Sequence, residues 1–285
     1  MDLTEIRRLA ILGAGTMGHG IAQIAARAGL ETVLFDVSEE ALARGLEKVA
    51  GGLAKAVQKG KLAAVELPAA QARVRAERDL ASAVANAELV VESAPESLAL
   101  KKQIFAEVSA LVRPEAILAT NTSSLPVTEI ASAATHPERV VGLHFFNPPA
   151  AMALVEIVRG ERTSPETVAL ARGVAERLGK EVVVVRDSAG FATSRLGIAL
   201  ALEAMRMFEE GVAGAEEIDR ALVLGYGHPM GPLALTDHVG LDVRLAVAEH
   251  LAHELGERFR PPQVLRRLVR AGKLGRKTGE GFYKY

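Results

Sequence analysis

The stretch Leu9-Ala-Ile-Leu-Gly-Ala-Gly-Thr-Met-Gly18 decides the fold of this chain. Its apolar run predicts a short buried strand, and its glycines follow the pattern G-x-G-x-x-G at the opening of a helix. In that context Gly13 permits a tight turn, Gly15 lets the backbone approach a pyrophosphate, and Gly18 allows close helix packing. The helix N-terminus adds attraction for phosphate charge. The predicted dinucleotide site comprises Gly13, Gly15, Thr16, Met17 and Gly18.

A second predicted strand, residues 32–35, ends at Asp36. An acid about 20 residues beyond the glycine turn can accept hydrogen bonds from the adenosine ribose hydroxyls and would repel a 2′-phosphate. NAD is therefore the expected cofactor, in preference to NADP. The alternative is that the glycines only shape a turn and that Asp36 caps the following helix, where Ser38 also has the character of an N-cap.

Short apolar runs alternate with helical segments as far as Asp187, and beyond it only helical periodicity with short turns is found. The alternation predicts an α/β fold with a Rossmann-type, doubly wound, mainly parallel sheet, followed by an all-helical C-terminal domain. We expect the first domain to span residues 1–186 and the second 187–285. The predicted strands are 9–12, 32–35, 89–91, 117–119, 140–143, 154–158 and 182–185.

Composition narrows the function classes. The chain has 285 residues, a formal net charge of -1 and no cysteine. Basic and acidic residues are spread along the chain, so no basic patch for nucleic acid or an anionic membrane stands out, and a small-molecule partner is expected. The lack of cysteine excludes disulfides and thiolate chemistry. Without a signal peptide or a long apolar span, the expected location is the cytoplasm. No metal is expected, because Asp237, His238 and Asp242 are irregularly spaced and are interpreted as helix caps and surface polarity.

A candidate catalytic pair lies later in the same domain. His144 follows the run 140–143 at the carboxyl end of a predicted strand, where ligands collect in open α/β sheets. Glu156 is the lone carboxylate of another apolar run. A histidine oriented by a carboxylate can take a proton from a substrate hydroxyl, because the acid fixes the tautomer and stabilises the imidazolium. Spacing alone leaves open a structural histidine and an unrelated glutamate.

Taken together, these motifs resemble those of the 3-hydroxyacyl-CoA dehydrogenases over nearly the whole chain. The resemblance implies reversible, NAD-linked oxidation of a short- to medium-chain L-3-hydroxyacyl-CoA, such as 3-hydroxybutyryl-CoA, to the 3-ketoacyl-CoA. It also implies a homodimer formed through the C-terminal domain. The motifs are Gly13-Ala-Gly-Thr-Met-Gly18, Val90-Val-Glu-Ser-Ala-Pro-Glu96, Asn121-Thr-Ser-Ser-Leu-Pro126, His144-Phe-Phe-Asn-Pro148, Asp187 with Gly190-Phe191, Gly231-Pro232 and Lys273-Leu-Gly-Arg-Lys-Thr-Gly-Glu-Gly-Phe-Tyr283.

The resemblance implies a role for individual residues. His144 matches the family's base, Glu156 the residue that orients it, and Ser123 the serine that hydrogen-bonds the substrate oxygen at C3. The residues matched to the cofactor are Glu96, Lys101 and Asn121, and those matched to the substrate are Ser123, Asn147, Ser194 and Lys55. The alternatives left open are a helix cap for Ser123, turn-forming roles for Asn121 and Asn147, and a solvated surface role for Lys55.

One position departs from the family pattern. The family has asparagine in the pattern Gly-Phe-x-x-Asn-Arg, whereas this chain has Gly190-Phe-Ala-Thr-Ser-Arg195, so Ser194 replaces an amide with a shorter hydroxyl. Either Ser194 reaches the substrate through a water molecule or the substrate differs. Two alternatives therefore stay open: a related 3-hydroxyacid or sugar-acid dehydrogenase that does not use CoA, and a noncatalytic NAD-binding protein of the crystallin type.

Overall fold

The computed structural model describes residues 5–285. The chain divides into two compact units, one that ends at Asp187 and one that runs from Ser188 to Tyr285. Among the described residues, none of the helices combines the length and apolar character needed to cross a bilayer.

The first unit is built on one eight-stranded sheet in the order β3-β2-β1-β4-β5-β6-β7-β8. Strands β1 to β6 are parallel to their neighbours, β7 runs antiparallel to β6, and β8 is parallel to β7. The strands are β1 (Arg8–Leu12), β2 (Glu31–Phe35), β3 (Val74–Glu77), β4 (Leu89–Glu92), β5 (Ile117–Thr120), β6 (Val140–Phe145), β7 (Leu154–Arg159) and β8 (Glu181–Arg186).

Helices cover the sheet on both faces, which confirms the predicted doubly wound architecture. Side chains of a strand alternate between faces, and in β1 Leu9 and Ile11 join one buried cluster whereas Ala10 and Leu12 join the other. The helices of this unit are α1 (Thr16–Arg27), α2 (Glu39–Gln58), α3 (Leu67–Ala72), α4 (Leu80–Val84), α5 (Leu98–Leu111), α6 (Val127–Ala131) and α7 (Pro165–Arg177).

The predicted glycine turn joins β1 to α1. Gly13 has a φ of +105°, and a Cβ atom there would lie 2.6 Å from the carbonyl oxygen of Ser93. A Cβ atom on Gly18 would lie 1.7 Å from the carbonyl oxygen of Gly13. Only glycine fits these two positions, because the turn and the helix behind it leave no room for a side chain.

Strand β3 was not among the predicted strands. It is the edge strand beside β2, and its sequence Val74-Arg-Ala-Glu77 carries two charges in four residues. Edge strands keep one side in water and need few apolar residues, so the apolar signal used for the other strands is missing here.

The second unit is helical around its own buried core. That core includes Ile198, Leu202, Met205 and Leu251. The helices are α8 (Thr193–Glu209), α9 (Ala215–Tyr226), α10 (Pro232–Val239), α11 (Leu241–Leu255) and α12 (Gln263–Arg270).

The last residues of the second unit depart from the predicted helical pattern. They form turns and isolated bridges between Gly275, Glu280 and Lys284. Buried Asp237 accepts hydrogen bonds from the backbone of Phe282 and Tyr283, both at 2.9 Å.

The interpretation of Asp237 as a helix cap or surface polarity is therefore wrong, whereas Asp242 lies in the first turn of α11 with a side chain that is 41% exposed. Asp237 is buried against the C-terminal segment, and Asp242 pairs with Lys277 at 2.6 Å. Both acids tie that segment to the helices of the unit.

Candidate active site

Strands β4, β5 and β6 are neighbours and parallel, so their carboxyl ends meet at one edge of the sheet. Polar residues collect there. Glu92 and Thr120 end β4 and β5, and His144 is the penultimate residue of β6. This edge is where open α/β sheets bind their ligands.

His144 and Glu156 form a buried pair. They are register partners of antiparallel β6 and β7, and the Nδ1 atom of His144 lies 2.8 Å from Oε2 of Glu156. His144 is 7% exposed and Glu156 is 0% exposed. An ionised carboxylate can only accept a hydrogen bond, so Nδ1 carries a proton, and in the neutral imidazole this leaves the lone pair on Nε2. The arrangement suits a proton acceptor whose orientation is set by a carboxylate.

Asn121 joins the ends of three strands. Its Oδ1 accepts a hydrogen bond from the backbone N–H of Phe145 at 2.9 Å, and its Nδ2 donates to Oγ of Ser93 at 3.3 Å. Ser93 directly follows β4, and Phe145 ends β6. Asn121 therefore fixes the loop after β5 against both neighbouring strands, next to His144.

Glu96 holds the loop that carries Ser123. Its Oε1 accepts hydrogen bonds from the hydroxyl of Thr122 at 2.6 Å and from the Ser123 backbone N–H at 2.9 Å. The Ser123 hydroxyl also donates to the same oxygen, at 3.2 Å. The suggested capping role for Ser123 is not what the structure has, since α6 is preceded by Pro126 without a side-chain cap.

Lys101 lies behind Glu96 and is fully buried. Its Nζ atom is 2.7 Å and 2.9 Å from the two carboxylate oxygens of Glu92. It is 3.5 Å from Oε2 of Glu96. The ammonium thus lies between two carboxylates, and Glu96, whose side chain is 38% exposed, is the member of this group that faces solvent.

Small-molecule sites are typically clefts of about 300–1,000 Å³, and one of about 680 Å³ opens beside the glycine turn. A Cβ atom on Gly15 would meet nothing within 4 Å, and no side chain caps the first turn of α1. Backbone N–H groups of that turn can therefore donate hydrogen bonds to phosphate oxygens. The cleft is lined by Gly13, Gly15, Thr16, Met17, Asp36, Arg78 and Ile104, among others.

Asp36 lies at the wall of this cleft. Its Oδ2 accepts a hydrogen bond from the Ala14 N–H at 2.8 Å, and its Oδ1 accepts one from the Ser38 N–H at 3.0 Å. The helix cap itself is Ser38, whose hydroxyl accepts from Ala41. Asp36 therefore holds the glycine turn and lines the cleft beside it. These residues fit NAD.

The structure places the other predicted residues on different elements of the chain. Asn147 is exposed in the segment after β6, where buried Lys180 donates to the carbonyl oxygens of Pro149 and, at 2.7 Å, of Met152. Lys55 is exposed in the last turn of α2. Ser194 is half-buried in the first turn of α8, in the second unit.

Sequence reasoning missed Glu92, Thr120 and Thr122 as members of the site. A usable signal was present for Glu92, since it is the lone carboxylate of the apolar run Leu89-Val-Val-Glu92. The same signal identified Glu156. The two threonines carry no such mark, because a threonine in a strand or turn is ordinary.

Comparison with known proteins places this geometry in a family. Residues 8–188 match the family model for the NAD-binding domain of 3-hydroxyacyl-CoA dehydrogenase, and residues 190–285 match its C-terminal domain. A probable 3-hydroxybutyryl-CoA dehydrogenase of Bacillus subtilis is 43% identical over 99% of this chain and 98% of its own length. The 3-hydroxybutyryl-CoA dehydrogenase of Mycobacterium tuberculosis is 42% identical over 98% of this chain and 99% of its own.

A comparison with solved structures supports the same family. The crystal structure of (S)-3-hydroxybutyryl-CoA dehydrogenase from Ralstonia eutropha aligns with a TM-score of 0.95 at 41% identity, and covers 98% of this chain and 99% of that one. The chain belongs to the 3-hydroxyacyl-CoA dehydrogenase family. It is accordingly an NAD-dependent oxidoreductase, as the resemblance implied.

Proposed function

We propose that this protein interconverts short-chain L-3-hydroxyacyl-CoA and 3-ketoacyl-CoA, with 3-hydroxybutyryl-CoA as a substrate. The observation that carries the proposal is the buried His144–Glu156 pair, joined at 2.8 Å at the carboxyl edge of the sheet. Family membership supports the acyl-CoA substrate, and the names of relatives support the short chain.

The proton step is assigned to His144. When bound, NAD accepts the hydride that leaves C3 of the alcohol, and the turn at Gly13 to Gly18 with Asp36 would hold it. Nε2 of His144 takes the hydroxyl proton during oxidation and returns it during reduction. Glu156 keeps Nδ1 protonated and stabilises the imidazolium, because a buried carboxylate interacts strongly with an adjacent positive charge.

Ser123 is assigned to the substrate oxygen. Its backbone N–H bond to Glu96, at 2.9 Å, is shorter than its hydroxyl bond, at 3.2 Å. The backbone bond therefore fixes the residue, while the hydroxyl can rotate to donate to the oxygen at C3. A donor placed there stabilises the negative charge that develops on that oxygen.

The test is a comparison of two ketones that differ in the carrier. We expect NADH absorbance to fall with acetoacetyl-CoA and to change at least about tenfold more slowly with free acetoacetate, because only the thioester carries CoA contacts. Faster reduction of the free acid would favour the dehydrogenase without CoA. Intact NAD binding with activity on neither compound would overturn the proposal and favour the noncatalytic protein.

Ser194 offers a second test of the substrate. If this position contacts the acyl group as the family asparagine does, Ser194→Asn raises kcat/KM for acetoacetyl-CoA several-fold, since the amide both donates and accepts hydrogen bonds. Thr193→Asn is the matched control on the preceding residue. An unchanged kcat/KM in Ser194→Asn would show that the position is not used in that way.

A homodimer through the second unit is also proposed. Leu196 and Leu200 are exposed one turn apart on α8, so they share a face. Arg244 on α11 lies beside them, since its Nη1 is 3.5 Å from the position that a Cβ atom would take on Gly197. Its Nε has no hydrogen-bond partner among residues 5–285. A second copy would cover the apolar face and supply an acceptor for the arginine.

Molar mass in solution tests the dimer. Light scattering should give twice the chain mass for the wild type and a smaller mass for Leu196→Glu with Leu200→Glu. Val65→Glu, at an exposed apolar residue of the first unit, should leave the mass unchanged. A monomeric wild type, or a double variant that remains dimeric, would contradict this assignment.

A further inference from the structure

Glu92 is a buried carboxylate with no assigned role in the reaction. It is 1% exposed, and each of its carboxylate oxygens accepts two hydrogen bonds. Oε1 accepts from the Ala94 N–H at 2.6 Å and from Lys101 at 2.7 Å. Oε2 accepts from the Thr120 hydroxyl at 2.7 Å and from Lys101 at 2.9 Å. The carboxylate is thus fixed by β4, β5 and α5 at once.

This anchored carboxylate fixes Lys101 in turn. Lys101 has three rotatable donors, two of which contact Glu92 while another contact reaches the Ala94 carbonyl oxygen at 3.3 Å. Its ammonium is fully buried, so it cannot exchange these partners for water. The position of its charge is set by Glu92.

Glu96 divides its carboxylate between Lys101 and the loop after β5. Oε2 lies 3.5 Å from the lysine, whereas Oε1 receives the Thr122 and Ser123 donors. The Lys101 ammonium therefore contacts two carboxylates, and the contact with Glu92 is the shorter one. If Glu92 lost its charge, the buried ammonium would have Glu96 as its remaining carboxylate partner and would draw it away from Ser123.

We propose that Glu92 is a positioning residue for Ser123. It fixes Lys101, Lys101 limits the movement of Glu96, and Glu96 sets the backbone and hydroxyl of Ser123 for the substrate oxygen. The inference rests on the proposed function, because Ser123 acts on the substrate oxygen only in that reaction. It assigns to the buried lysine an indirect role at the substrate oxygen, through Glu96.

The competing explanation is that Glu92 only stabilises the fold. The chain provides a matched control for it, since Glu88 lies just before the other end of β4, is also buried, and pairs with Arg8 at 3.0 Å and Arg113 at 2.9 Å. Glu88→Gln removes a comparable buried charge from the residue that precedes the same strand. A purely structural role predicts the same consequence for both substitutions.

The test is a double-mutant cycle in kcat with acetoacetyl-CoA and NADH. Glu92→Gln should lower kcat about tenfold in the wild type and less than about twofold in Ser123→Ala, because it acts through that hydroxyl. The KM for NADH should change little in comparison. Glu88→Gln should leave kcat unchanged in both backgrounds while it lowers the melting temperature.

Equal losses of kcat in the two backgrounds would overturn the proposal, as would an equal loss in Glu88→Gln. If Glu92→Gln does not fold, Thr120→Val carries the same cycle, since it removes one hydrogen bond to Glu92 and keeps every charge. That variant should lower kcat only when Ser123 is present, and an unchanged kcat would overturn the proposal. A wild type without activity on acetoacetyl-CoA would instead reject the proposed function.

Discussion

Strand β4 has a buried carboxylate at each end, and the two differ in what they hold. Glu88, at the amino end, accepts hydrogen bonds from the Arg8 backbone at 2.6 Å and from the side chains of Arg8 and Arg113, both about half-exposed. Glu92, at the carboxyl end, is bound by a fully buried lysine that also faces Glu96. The first carboxylate joins segments of the fold, and the second leads to the predicted site.

The difference follows from the polarity of a parallel sheet. Loops at the amino ends of the strands close the fold, whereas loops at the carboxyl ends surround the ligand. A buried carboxylate paired with a cation therefore stabilises the fold at the amino end of β4 and positions site residues at the carboxyl end. Substitutions at matched positions on the two sides of one strand should separate these effects.

The largest effect is expected on β6. His144→Gln should lower kcat about 10³-fold without a change in melting temperature, because it removes the proton acceptor. The control is His136→Gln, which breaks a second histidine–glutamate pair, His136 with Glu138 at 3.2 Å, before the amino end of the same strand. Steady-state NADH absorbance and a thermal melt give both readings. A control as inactive as His144→Gln would remove the distinction between the two ends.

A smaller loss is expected one strand away. Glu156→Gln keeps the shape of the side chain but no longer fixes the histidine tautomer or stabilises its charged form, so kcat should fall about 10²-fold. Glu138→Gln, which alters the other pair, should keep the wild-type kcat. Wild-type turnover in Glu156→Gln would show that the buried pair is structural.

At the amino end of β4, the expected effect of a substitution is on the stability of the fold. Burial would raise the pKa of Glu88, but hydrogen bonds from the Arg8 backbone and side chain, the Arg7 N–H and Arg113 outweigh it and lower the pKa below its usual value. A lowered pKa means that the stabilisation is complete above the ordinary pKa and is lost as pH falls through the folded-state value. Glu88→Gln should reduce the free energy of unfolding by about 2 kcal/mol at neutral pH.

Urea denaturation at two pH values checks this expectation. The difference between wild type and Glu88→Gln should shrink in acid, as pH falls from the ordinary carboxyl pKa through the lowered folded-state pKa and the wild-type carboxyl becomes protonated. A difference that stays constant with pH would mean that the charge of Glu88 contributes nothing.

The smallest effect concerns the cofactor at the carboxyl end of β2. Asp36→Asn removes the charge that repels a 2′-phosphate, so the preference for NAD over NADP should fall about tenfold. Glu31→Gln, at the exposed amino end of the same strand, should leave the preference unchanged. The measurement is the ratio of kcat/KM for the two cofactors, and an unaltered ratio in Asp36→Asn would reject the assignment.

The sequence predicted the features that depend on local patterns. The turn from β1 to α1 requires glycine for steric reasons, and the apolar runs mark seven of the eight strands, among them β8, whose valines are partly exposed. Edge strand β3 and the C-terminal segment were not predicted. Strand pairing holds β3 and hydrogen bonds to Asp237 hold the C-terminal segment, and neither interaction leaves an apolar pattern in the sequence. The physical reason is the same in both cases: hydrogen bonds to distant partners replace burial of apolar side chains.

The candidate site divides in a similar way. Glu156 stood out because a charge within an apolar strand needs a partner, and the structure places it beside His144. Thr120 and Thr122 contact Glu92 and Glu96 across neighbouring strands, so their part emerges only with the sheet order. The catalytic and binding roles of the predicted residues stay predictions for the experiments above.

The antiparallel pairing of β6 with β7 places His144 directly opposite Glu156. Because side chains alternate along a strand, a slip of one residue would bring Val155 or Ile157 opposite the histidine and turn the carboxylate to the far face. The pair is thus encoded in the register of two strands, and any change in the segment that links them would keep the proton acceptor beside its carboxylate only if it preserved that register.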